Sequence, residues 1–113
     1  MRNRTSLSSE LLPGTLDILI LKTLTRGAMH GYAVARWIED VTDRALAVEE
    51  GSLYPALYRM EKRGWIDAEW GTSELGRRAK FYRLTRKGRQ QLANDTEAWA
   101  AFAQAVNKVM VSA

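Results

Sequence analysis

At Gly64 the hydrophobic period of the chain changes, and that change limits the available folds more than any other feature. Before it, apolar residues recur every three to four positions; after it, Trp65–Trp70 and Ala79–Leu84 alternate. The longer period is that of a helix buried on one side, the shorter that of a half-buried strand. Ile66, Ala68 and Trp70 therefore share a strand face opposite Trp65, Asp67 and Glu69, and Ala79, Phe81 and Arg83 lie opposite Lys80, Tyr82 and Leu84. The stretch 71–78 between them is polar with two glycines, so the two runs are expected to form a β-hairpin.

Upstream, the pattern predicts three helices. Pro13-Gly14-Thr15 opens LDILILKTL, which is apolar almost all round and reads as a buried helix ending near Arg26-Gly27, with Gly27 in a left-handed cap. A strand over Ile18–Leu21 is the competing reading; the length of the run and its flanking Pro and Gly favour the helix. The second helix, about His30 to Asp43, places Val34, Trp37, Ile38 and Val41 on its inner side, with Gly31 marking a close approach to the first helix. The third lies within EEGSLYPALYRMEKRGW and turns Leu53, Leu57 and Met60 inward. Proline lacks an N–H and clashes with the carbonyl four residues back, so Pro55 places the start of this helix close to Ser52, whose hydroxyl is expected to cap it. Tyr54 then falls in the first turn and Tyr58 one turn above it, beside Arg59, Lys62 and Arg63 on the outer surface. Beyond the hairpin, Thr85 is a good N-cap for a long helix to about Val109, with Leu92, Trp99, Phe102, Val106 and Val109 on one stripe. Trp37 and Trp70 are assigned to the core, and Trp65 to the anchoring of the hairpin.

The expected fold class is α+β, mainly helical: a winged helix-turn-helix of three helices plus a two-stranded β wing, with one long C-terminal helix. The 113 residues suffice for one such domain. The expected divisions are an arm over 1–12, flexible or partner-contacting, the winged domain over 13–85 and the C-terminal helix over 86–113.

Charge points to the partner. The formal net charge is +4, and it is unevenly spread: residues 1–56 hold six Lys/Arg against seven Asp/Glu, residues 57–113 eleven against six. Seven cations, Arg77, Arg78, Lys80, Arg83, Arg86, Lys87 and Arg89, fall together with no acid among them. A basic face on and just after a wing suits phosphate, and the free N–H groups of a helix N-terminus suit it too. Other classes find little support. The chain has no cysteine and one histidine, His30, which reads as a cap or packed ring, so neither disulfide nor metal site is expected. No Gly-rich phosphate loop or isolated carboxylate pair suggests catalysis, and no cofactor is expected. The run Leu16–Leu24 is broken by Asp17 and Lys22 and is far short of the roughly 20 residues of a membrane span, so a soluble cytoplasmic protein is expected.

Three segments, HGYAVARWIE, EEGSLYPALYRMEKRGWI and GRRAKFYRLTRKGR, closely resemble corresponding segments of PadR-like transcriptional regulators. The resemblance runs from roughly Leu12 to Gln91, and SLYPAL is its most specific part. It implies a repressor that binds an inverted-repeat operator in double-stranded DNA as a homodimer, with residues 86–113 as the dimerisation helix of the family's short branch. Carried across, the recognition helix contributes Ser52, Tyr54, Pro55, Tyr58 and Arg59, and the wing Arg77, Arg78, Lys80 and Tyr82. The C-terminal stripe, Leu92, Trp99, Phe102 and Val106, is expected to form the dimer interface. A sharper version has the indoles of the two C-terminal helices sandwich a planar aromatic effector, as in some relatives; Trp99 and Phe102 simply filling the dimer core is the preferred reading. The competing function is a winged-helix protein-interaction module, which would generally lack a basic wing. Double-stranded RNA is less apt, since its deep, narrow major groove does not admit a helix.

Overall fold

The computed structural model of the chain describes residues 5–7 and 14–113. Of the expected arm 1–12, only Thr5–Leu7 falls within that description, and Pro13 lies outside it. The elements are β1 (Thr5–Leu7), α1 (Thr15–Thr23) with a following 3-10 turn (Leu24–Arg26), β2 (Met29–His30), α2 (Gly31–Val41), β3 (Leu46–Val48), α3 (Glu50–Lys62), β4 (Ile66–Thr72), β5 (Arg78–Leu84) and α4 (Arg86–Met110).

The expected order of three helices, hairpin and long helix is present, and Ile18–Leu21 is helical. The wing, however, is three-stranded, in the order β2-β5-β4, because Met29 and His30 pair antiparallel with Tyr82 and Phe81. A second small sheet joins β1 to β3 in parallel, with Thr5 opposite Leu46 and Leu7 opposite Val48. Strands this short carry no readable period, so neither was expected.

One core lies where α1, α2 and α3 meet the base of the hairpin. Leu16, Ile20, Leu21 and Leu24 enter it from α1 and its turn, Val34 and Ile38 from α2, and Leu53, Ala56, Leu57 and Met60 from α3. Ile66 and Tyr82 close it from the hairpin. Each fully buried Leu, Ile or Met side chain contributes about 1.5–3 kcal/mol relative to exposure, so this cluster is the main favourable term. The inner stripe of α2 is narrower than expected. Val41 is exposed at the end of the helix, and Trp37 is half-buried beneath the Arg26 guanidinium, 3.6 Å from its ring centroid. Gly27 caps the 3-10 turn at a positive φ, as glycine favours, but at φ 131° and ψ −178° it lies outside the left-handed helical region.

α3 starts earlier than Pro55 suggested. Its first residue is Glu50, and Ser52 and Leu53 both donate their backbone N–H to the Glu49 carbonyl, at 3.0 and 2.9 Å. Pro55 therefore lies inside the helix rather than in its first turn, and Ser52 is a helical residue rather than the cap. The proline deprives the Gly51 carbonyl of its partner, but Gly51 is exposed, so water can take over the bond. Thr85 caps α4 as expected: its hydroxyl accepts the Gly88 N–H at 3.0 Å.

Candidate nucleic-acid interface

The two faces of the hairpin decide the geometry. In an antiparallel pair, residues directly opposite share a face, so Ile66 and Leu84, Ala68 and Tyr82, and Trp70 and Lys80 lie on one side. Near the base this side packs on the helices, with Ile66 and Tyr82 buried. Toward the tip the same side runs beyond the core and becomes a wall carrying Trp70, Lys80 and Arg78.

Facing that wall are the start of α2 and the first half of α3. The cleft between them has a volume of about 700 Å³ and is bordered by Tyr54, Arg77, Arg78, Lys80 and Trp70, with Glu50 and Tyr32 among its other residues. Tyr54 is 45% exposed and presents its phenol to the cleft from α3. On the opposite wall, Arg78 lies over the Trp70 ring, 4.5 Å from its centroid, so a flat apolar support holds the guanidinium.

The sequence-predicted residues divide into three groups. Tyr54, Arg77, Arg78 and Lys80 are brought together around this cleft. Ser52, Pro55 and Arg59 instead line a small hollow of about 120 Å³ between α3 and α1, on another side of the helix. There Arg59 is held by Asp17 of α1, its Nη2 donating to the carboxylate at 2.6 Å. Tyr58 is exposed on the outer side of α3, with the Lys62 ammonium 5.3 Å from its ring centroid.

Two of the wing residues are also engaged within the fold. Tyr82 is 6% exposed and its ring belongs to the core, and it also borders the cleft. Burial disfavours the phenolate and pushes its pKa up, with Lys80 opposing in part. Lys80 is not a free cation: its ammonium donates to the Glu61 carboxylate at 3.0 Å, and that bond raises its pKa. Trp70, assigned to the core from its alternation with Ile66 and Ala68, is 57% exposed. The sequence did carry a signal for it: a tryptophan four residues beyond the first buried position of a strand whose partner brings lysine and arginine, not apolar residues, to the same face.

The C-terminal stripe is largely uncovered. Trp99, Phe102, Val106 and Val109 are exposed on α4, whereas Leu92 is half-buried against the core. Trp99 borders two apolar hollows between α4 and α1, of about 330 and 470 Å³, which share Thr15 and Ile18. Among the described residues no group of three or more His, Asp or Glu could hold a metal ion, and no helix is long and apolar enough to cross a membrane.

Residues 20–94 match the model of the transcriptional regulator PadR-like family. A solved transcriptional regulator from Clostridium thermocellum is 32% identical, with a TM-score of 0.80 over 88% of this chain and 97% of that one. A PadR-like transcriptional regulator from Bacillus cereus is 30% identical, with a TM-score of 0.77 over 93% of this chain and 100% of that one. Among curated proteins, an uncharacterized protein of Lysinibacillus sphaericus is 28% identical over 102 residues, which is 90% of this chain and 94% of the relative.

Proposed function

This chain belongs to the PadR-like family of transcriptional regulators, and from that premise we propose that it is a cytoplasmic repressor that binds an inverted-repeat operator as a homodimer. The observation that carries the DNA-contact assignment is the cleft that sets Tyr54 of α3 against Arg77 and Arg78 of the wing. α3 is the recognition helix in this reading, with Tyr54 toward the cleft and Tyr58 on its outer side. Arg77 and Arg78 take phosphates, releasing counterions as they do so. Repression follows from promoter occlusion.

Dimerisation through α4 is supported by its exposed apolar stripe. Trp99, Phe102 and Val106 stand exposed on one side of α4, and a second copy would cover them. A two-fold axis through that contact would present two α3 helices to successive half-sites. The hollows beside Trp99 support a planar aromatic effector in the same region.

The test is a gel shift against the DNA upstream of the protein's own gene, with Tyr54→Ala as control. Salt-sensitive binding that weakens in the variant supports the proposal. Failure to bind any duplex at low salt would favour an interaction module instead. Sedimentation of Phe102→Asp, expected to be monomeric where the parent is dimeric, tests the α4 interface separately.

A further inference from the structure

Gly31 is the first residue of α2, it is buried, and its backbone is helical. Nothing in its conformation requires glycine, and helix propensity there favours alanine. What requires glycine is space. A Cβ at this position would lie 2.9 Å from Cε1 and 3.1 Å from the hydroxyl oxygen of Tyr54. The phenol of Tyr54 thus rests on the bare Cα of Gly31.

We infer that Gly31 is a positioning residue for DNA binding: it is the seat that fixes the Tyr54 phenol in the cleft, without touching the DNA itself. This rests on the proposed role of Tyr54 and extends it to a residue on another helix.

Two observations carry it. The Tyr54 side chain is 45% exposed, and among the described residues no hydrogen bond fixes its hydroxyl, so packing against Gly31 is a principal restraint on the ring. The seat is itself anchored. His30, just before it, accepts the Ala33 N–H on Nδ1 at 3.3 Å and pairs with Phe81 of β5, ring edge to ring face at a centroid distance of 5.5 Å. Gly31 is thereby tied to the strand that carries Arg78 and Lys80, and the phenol is set in register with the opposite wall of the cleft. Because the clashing atoms are the far end of a flexible side chain, a methyl group at Gly31 would be accommodated by swinging the ring away. Folding would hardly register the change, and binding would.

The experiment is a double-mutant cycle on the full chain with Gly31→Ala, Tyr54→Ala and the pair, titrated by fluorescence anisotropy against the duplex upstream of its own gene, with a thermal melt of each variant. The expected result is a loss of affinity of about tenfold for each single variant, no further loss in the double, and a melting temperature for Gly31→Ala equal to or above the parent's. Additive losses, wild-type affinity in Gly31→Ala, or a marked fall in its melting temperature would each overturn the inference while leaving DNA binding intact. Wild-type affinity in Tyr54→Ala would overturn it as well, since the seat would have nothing to deliver. If the parent chain bound no duplex at low salt, both this inference and the function beneath it would fall.

Discussion

Lys80 on the inner face of the wing donates to Glu61 on α3 at 3.0 Å, which ties the wing to α3 partway along its length as well as at its base. The two side chains are 35% and 34% exposed, so the pair adds little to stability, about 0–1 kcal/mol. Its consequence is for the wing's position and for the charge the cleft presents.

Glu61→Gln should therefore leave the melting temperature nearly unchanged and release Lys80 toward the DNA. Non-specific affinity should rise, and the slope of log affinity against log salt should steepen by up to about one. Anisotropy titrations of the upstream duplex and a scrambled one at several salt concentrations measure both. An unchanged slope on both duplexes would mean that Lys80 takes no part in binding even when freed.

Gly88 behaves in the opposite way to Gly31. A Cβ there would lie 2.0 Å from the Trp65 carbonyl oxygen and 2.8 Å from Leu84 Cδ1. That oxygen is backbone, fixed by the Thr85 N–H at 3.0 Å and the Thr85 hydroxyl at 2.9 Å, so it cannot step aside. Gly88→Ala should destabilise the fold by about 1–3 kcal/mol despite the gain in helix propensity. Urea denaturation of the two glycine variants side by side would show the contrast: one helix-start glycine that serves the ligand, one that serves the docking of α4.

These residues also show how far the sequence could be read. The switch of period at Gly64 was enough for the order of helices and hairpin, because burying one face of each element demands that spacing. Alternation also told which residues share a strand face, but not which face is inward. With Phe81 and Tyr82 adjacent, alternation alone leaves either side open to be the core, and it does not report that Tyr82 is largely buried. α3 starts two residues before the position expected from Pro55 because a proline rule describes a preference, and an exposed Gly51 lowers the cost of breaking it. The pairing of Arg59, expected on the outer surface of the third helix, was not legible because its partner Asp17 lies 42 positions away, a distance that no local pattern reports.

The Asp17–Arg59 pair gives a further expectation. Asp17→Asn removes one acid and frees a guanidinium on α3, the proposed recognition helix, so binding to a random-sequence duplex at low salt should tighten, by about threefold to tenfold. Arg59 is 44% exposed, and screening by water limits the accompanying loss of stability to about 1 kcal/mol or less. Should random-sequence affinity stay at the parent's value, Arg59 lies beyond reach of the DNA.

Burial of Tyr82 makes stability depend on pH at the alkaline end. Its pKa in the folded chain lies above the ordinary 10.0, chiefly because burial disfavours the phenolate, so the folded state holds the proton more tightly than the unfolded state does. The contribution is fully present below pH 10 and is lost as pH rises through the folded value. Lys80, raised by its bond to Glu61, loses its contribution in the same direction above its ordinary 10.5. Urea midpoints measured from about pH 8 to 11 should fall more gently in Tyr82→Phe than in the parent. Parallel curves would mean that Tyr82 does not ionise on unfolding in that range.

The pairing of Trp70 with Arg78 allows charge and support to be separated. Arg78→Ala removes the proposed phosphate contact, so affinity should fall and the salt slope should decrease by about one. Trp70→Ala keeps the charge but takes away the ring 4.5 Å beneath it, so affinity should fall with much less change of slope. Trp70→Phe, which restores an aromatic face, should recover part of the loss. None of the three should shift stability by more than about 0.5 kcal/mol, since Trp70 is 57% exposed and packs on the wing and not in the core. If Trp70→Ala lowered the slope as much as Arg78→Ala, the guanidinium would depend on the ring to reach phosphate at all; if it left affinity untouched, Arg78 would find its phosphate unaided.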